Sequence, residues 1–106
     1  MNYAFSIPFR LLGYRASVKR AHDPAYKAFK LAVRAIANQA KIPDAPPEGC
    51  KLHLTIHWTK RARIDSVNIY KAVEDALWAN DRRCLRGEFV AHEQVGREYA
   101  VVLVEA

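Results

Sequence analysis

The cleanest pattern in the chain is "KLHLTIHW", where Leu52, Leu54, Ile56 and Trp58 alternate with Lys51, His53, Thr55 and His57. A period of two puts the apolar set on one face of a β-strand and the polar set on the other. Upstream, "YAFSIPFRLL" alternates more weakly and is interrupted by Pro8. Proline cannot donate to a ladder, so this stretch reads as an edge strand. The period then lengthens. Asp23 suits a helix cap and Pro24 a first helical position, and Ala25, Phe29, Ala32, Val33, Ile36 and Ala40 recur at helical spacing. Lys27, Lys30, Arg34 and Lys41 line the opposite side, where they could touch phosphates or simply face water. "IPDAPPEG", with three of the five prolines, ends that helix and turns the chain.

A second helical pattern follows the clean strand. Asp65 or Ser66 caps it, and Ile69, Ala72, Val73, Ala76 and Leu77 form its buried side. At about 100° per residue, Asn68, Lys71 and Asp75 share one flank, Asp65 adjoins them at the N-terminal end, and Glu74 points away. "WANDRRCLRG" breaks the helix, and "EFVAHEQV" and "EYAVVLVEA" read as two strands joined at Gly96 in a hairpin. The predicted order is strand, helix, strand, helix, strand, strand. It describes one α/β domain of the α+β type over residues 1–106, a small mixed sheet with two helices packed on it.

Composition narrows the class. A chain of 106 residues, 51% hydrophobic and 26% charged, can bury one core without staples and carries no mark of disorder. Its longest apolar run, in "EYAVVLVEA", is far below the roughly 20 residues of a membrane span. The N-terminus lacks the pattern of a secretory leader, so the expected setting is cytoplasmic. Cys50 and Cys84 lack the close spacing of zinc ligands and read as two reduced thiols. His53 and His57 share a strand face but lie about 13 Å apart, too far to hold one metal, and read as structural or DNA-facing.

Charge suggests a partner. Lys and Arg number 17 against 11 Asp and Glu, a formal charge of +6, which favours a polyanion. The basic residues gather at Arg15, Lys19 and Arg20, at Lys60, Arg61 and Arg63, and at Arg82, Arg83 and Arg86, all in expected loops or element ends. Lys19, Arg20, Lys60, Arg61, Arg63, Arg82 and Arg83 are the candidate nucleic-acid contacts.

Asp65, Asn68, Lys71 and the "DAL" of Asp75 to Leu77, followed by "ND" at Asn80 and Asp81, resemble the core motif of the RusA-type Holliday junction resolvases. The order of elements is similar too. The resemblance implies a homodimeric endodeoxyribonuclease, of a bacterium or phage, that resolves four-way DNA junctions with magnesium, or manganese, held by aspartates. It places metal ligands at Asp65 and Asp81 and the essential lysine at Lys71. Phosphodiester hydrolysis requires an activated water and relief of phosphate charge, which carboxylate-held hard cations supply. A lysine nearby can steady a phosphate as a point charge, and Asn68 can orient a carboxylate.

One position departs from the family pattern. Where the family usually carries an Asp directly before the Asn, this chain has Val67, which ligates nothing. Asp75 could supply the missing charge, the site could work feebly with two carboxylates, or the protein could bind junctions without cutting them. The segment between Leu77 and Asn80 is short for the family, so Glu88 is an alternative to Asp81.

Overall fold

Alternation along the strands decides which side of the sheet the core occupies. The structure, a computed structural model, describes residues 2–12, 23–59, 65–78, 83–93 and 96–106. Its elements are β1 (Tyr3–Ile7), α1 (Pro24–Gln39), β2 (Lys51–Trp58), α2 (Ser66–Leu77), β3 (Leu85–Glu93) and β4 (Tyr99–Glu105). The four strands form one mixed sheet in the order β1-β4-β2-β3. β4 is antiparallel to both β1 and β2, while β3 runs parallel to β2.

The registers align the apolar positions in rows across the sheet. Phe5, Val102, Leu54 and Phe89 form one row, and Ile7, Ala100, Ile56 and Ala91 the next. Along β1, β4 and β2 only the residues of this parity are buried, so the core lies on one face of the sheet, under the helices. α1 adds Tyr26, Phe29, Val33 and Ala37, and α2 adds Ile69, Tyr70, Ala72, Val73, Ala76 and Leu77. Trp78, just beyond α2, is buried and donates its indole N–H to the Pro43 carbonyl at 3.0 Å.

β1 ends before Pro8 and lies at an edge, as the proline predicts. The expected β3–β4 hairpin is not formed. Parallel strands need a crossover, which α2 supplies between β2 and β3; β4 then passes over to lie between β1 and β2. The strand contents fit these places: "YAVVLVE" is buried at every second residue, while "LRGEFVAHE" is largely exposed at the opposite edge.

α1 begins as predicted, with the Asp23 carboxylate accepting from the Ala25 N–H at 2.9 Å. Its buried stripe is rotated from expectation: Tyr26 and Ala37 face inward, and Ala25 and Ala32 face solvent. The helix closes with the Lys41 N–H bonded to the Asn38 carbonyl and the Ile42 N–H to that of Ala37. This is a Schellman ending, with Lys41 at φ 60° where glycine is usual and Ile42 buried beyond it.

Between β2 and β3 the register slips: Leu52 pairs with Arg86 and Leu54 with Phe89, so Gly87 and Glu88 form a β-bulge. A bulge frees backbone groups that must find other partners. From the core face, the Tyr70 hydroxyl reaches the carbonyls of Gly87 at 3.0 Å and Glu88 at 2.9 Å. From the open face, His53 Nδ1 accepts the Glu88 N–H at 2.9 Å. A Cβ on Gly87 would sit 2.4 Å from the His53 ring, so this close approach requires glycine.

Candidate functional site

The N-terminus of α2 is built by a local hydrogen-bond pattern. Asp65 is the cap, with extended backbone, and its Oδ1 accepts the Asn68 N–H at 3.2 Å. The Asn68 side chain returns to the same carboxylate, its Nδ2 donating to Oδ2 at 3.1 Å. Both oxygens of Asp65 are thus oriented by one residue, while Asp65 itself stays exposed. Lys71, half-buried, lies one turn beyond Asn68 on the same flank.

Asp75 closes this flank at its far end. It accepts a 3.1 Å hydrogen bond from the hydroxyl of buried Tyr26 on α1, a contact that ties the two helices together. Lys27, Lys30, Leu31 and Arg34 of α1 join Asp75 and Ala76 around an open cleft of about 370 Å³. Leu31 is 73% exposed there, and the Lys30 ammonium lies 5.3 Å from the Tyr26 ring centre. Arg34 is committed to structure: it donates to the Leu77 carbonyl, closing the C-terminus of α2, and pairs with Asp44.

These positions separate the candidate acids. Asp65 and Asp75 stand ten residues apart on α2, a rise of about 15 Å, so they do not share one cation. Glu88 gives its backbone carbonyl to Tyr70 of α2 but lines a cleft with His53, Thr55, Val101, Leu103 and Glu105 on the open face of the sheet, opposite the helices. Asp75 and Glu88 therefore do not complete a ligand set around Asp65. Asp81, Lys19, Arg20, Lys60, Arg61, Arg63 and Arg82 lie outside the described residues. Arg83 is described and exposed, two residues ahead of β3. Val67 is 56% exposed, so no packing requirement accounts for its side chain.

A magnesium ion takes oxygen ligands in octahedral geometry and is commonly held by one or two carboxylates plus waters. Asp65 fits as one such ligand, since each oxygen keeps acceptor capacity beyond its Asn68 bond. Among the described residues no group of three or more His, Cys, Asp or Glu could hold a metal, so the described residues supply one carboxylate and not a complete set.

Glu74, expected to point away, is buried at 3% exposure. Arg86 holds it from β3, with Nη2 at 2.9 Å and Nε at 3.4 Å, and the guanidinium lies 5.5 Å from the Tyr70 ring centre. This bond to Glu74 holds the Arg86 guanidinium above its usual pKa, and burial pushes the Tyr70 phenol up. Arg86 thus leaves the predicted basic cluster. His53 holds the bulge through Nδ1, which accepts the Glu88 N–H, and its Nε2 lies 3.3 Å from Glu105 Oε1. His57 is stacked between His92 and Tyr99 at 4.9 and 4.4 Å, a contact across three strands that single-strand alternation does not reveal.

No protein-family model matches this chain, and no curated protein matches it. Among the described residues no helix is long and apolar enough to cross a membrane.

Proposed function

We propose that the chain acts on branched DNA, as a homodimeric, divalent-metal-dependent endodeoxyribonuclease that resolves four-way junctions. The observation that carries this reading is the Asp65–Asn68 pair at the exposed head of α2, with Lys71 one turn further along the same flank. The spacing is that of the RusA-type motif, and the order of elements is the one that resemblance implies.

In this reading Asp65 and Asp81 hold magnesium, which when bound would activate water and offset phosphate charge. Asn68 fixes the Asp65 carboxylate so that its free lone pairs face outward, lowering the cost of ordering it at the moment of binding. Lys71 acts as a point charge toward a phosphate, and Lys27 and Lys30 extend a positive path along the cleft between the helices. Arg83 and the basic residues of 15–20, 60–63 and 82 add the sequence-independent part of the affinity.

A second reading, junction binding without cutting, is favoured by exposed Val67 at the place where the resemblance calls for a carboxylate. Binding separates both readings from a protein that recognises no nucleic acid. The chain is expected to prefer a four-way junction to linear duplex, with affinity falling steeply as salt rises because fewer counterions are released. Lys27→Gln with Lys30→Gln should shallow that salt slope by about two units. Equal affinity for both substrates, or salt-insensitive binding, contradicts the proposal.

A further inference from the structure

The two cysteines, 34 residues apart, meet in the folded chain: Cys50 Sγ and Cys84 Sγ are 2.9 Å from each other, and both are buried. Each directly precedes a strand, and the next residues, Lys51 and Leu85, are register partners in the parallel β2–β3 pair. Parallel neighbours are spaced about 4.8 Å apart across a ladder, inside the roughly 4.4–6.8 Å between Cα atoms that a disulfide bridges. The surrounding backbone is already fixed: the Leu85 N–H bonds the Cys50 carbonyl at 2.9 Å, and the Cys50 N–H bonds that of Pro47 at 3.1 Å.

We propose that Cys50 and Cys84 form an intramolecular disulfide when the protein meets a peroxide-class oxidant. The bond would pin the start of β3, and with it the chain just after Asp81, to the start of β2. Cys84, 6% exposed as a residue against 0% for Cys50, is the more accessible of the two and reacts first. Its thiolate attacks a peroxide oxygen, the O–O bond breaks, and the leaving hydroxide takes up a proton, giving a sulfenic acid and one water. The Cys50 sulfur then attacks that of Cys84; the S–S bond forms, the S–O bond breaks, and the second water leaves. Two thiols give up two electrons and two protons, and one peroxide becomes two waters. Burial and the neighbouring Cys50 thiol push the Cys84 thiol up, so its thiolate is scarce near neutrality and the reaction speeds up in alkali.

The test uses the whole chain, exposed to hydrogen peroxide at alkaline pH, then unfolded and alkylated. The expected product is lighter by two hydrogens in intact mass, takes up no alkylating agent, and runs as a monomer on a non-reducing denaturing gel. Peptides carrying Cys50 and Cys84 are linked in its digest, and dithiothreitol restores both thiols. The oxidised chain is expected to melt higher by on the order of 10 °C. Cys50→Ser and Cys84→Ser should each lose this product. Two alkylated thiols after prolonged exposure, added oxygens without the linked peptide, covalent dimers, or loss of the fold on oxidation would each overturn the proposal. None of these readouts involves DNA, so their outcome is separate from that of the functional reading.

Discussion

The Asn68 amide bonds the Asp65 carboxylate at 3.1 Å while the Asn68 backbone N–H bonds it at 3.2 Å, so one residue holds both oxygens of an exposed acid. The same carboxylate caps α2 and presents lone pairs outward, and substitutions can separate the two roles. Asn is as good a cap as Asp, so Asp65→Asn is expected to keep thermal stability, while Asp65→Ala costs about 1 kcal/mol. Urea unfolding of both variants checks this; equal loss in both would mean that charge, and not capping, stabilises the helix.

The Glu74–Arg86 pair links α2 to the bulged edge strand and is buried on the Glu74 side, with side-chain exposures of 4% and 38%. Arg86→Met leaves a carboxylate buried without its partner and is expected to cost about 3 kcal/mol, at the low end for a buried pair because Arg86 keeps some solvent. Adding Glu74→Met should recover most of the loss. Chemical denaturation of the two variants decides it, and a single variant as stable as wild type would show the pair to be idle.

Glu98 responds to acid. Its carboxylate accepts from Arg10 Nε at 2.9 Å and from the Thr59 N–H at 3.2 Å, and the Arg10 bond first of all holds it below the usual glutamate value of 4.5. A depressed carboxylate stabilises the fold above its unfolded-state pKa, and that contribution fades as pH falls through the lower folded-state value. The stability gap between wild type and Glu98→Gln should therefore be constant near neutrality and narrow below about pH 4.5. A gap that widens on acidification would reverse the sign of the argument.

What the sequence revealed followed the range of the interactions. β2 was legible because its outer face stays half open, which preserves the alternation, and the Asp65 cap because its partner is three residues away. The five residues read as the buried side of α2 are buried, but Tyr70 and Glu74 join them; Tyr70 reaches the β3 bulge with its hydroxyl, and the charge of Glu74 suggests solvent when its partner on β3 is unknown. In α1 the alanines misled, since Ala25 and Ala32 are small enough to face water, while Tyr26 and Ala37 pack inward. The hairpin expectation assumed that neighbours in sequence pair in space, but the α2 crossover places β3 beside β2 and frees β4 for the centre. Gly87 within a strand was the one available signal for the bulge, and nothing local announced that Cys50 would meet Cys84.

The most direct measurement incubates a labelled four-way junction with magnesium and either wild type, Asp65→Asn or Val67→Asp, and follows strand cleavage beside binding. The wild type is expected to introduce paired nicks in the junction and leave linear duplex intact. Asp65→Asn should bind the junction at least as tightly, having lost a repelling charge, yet leave it uncut, while Val67→Asp should raise the rate by adding an anionic ligand beside Asp65. Manganese should help the wild type more than it helps Val67→Asp. A wild type that binds the junction uncut, with cleavage appearing only in Val67→Asp, would replace resolution by junction binding. An Asp65→Asn variant that cuts as fast as wild type would contradict the account outright.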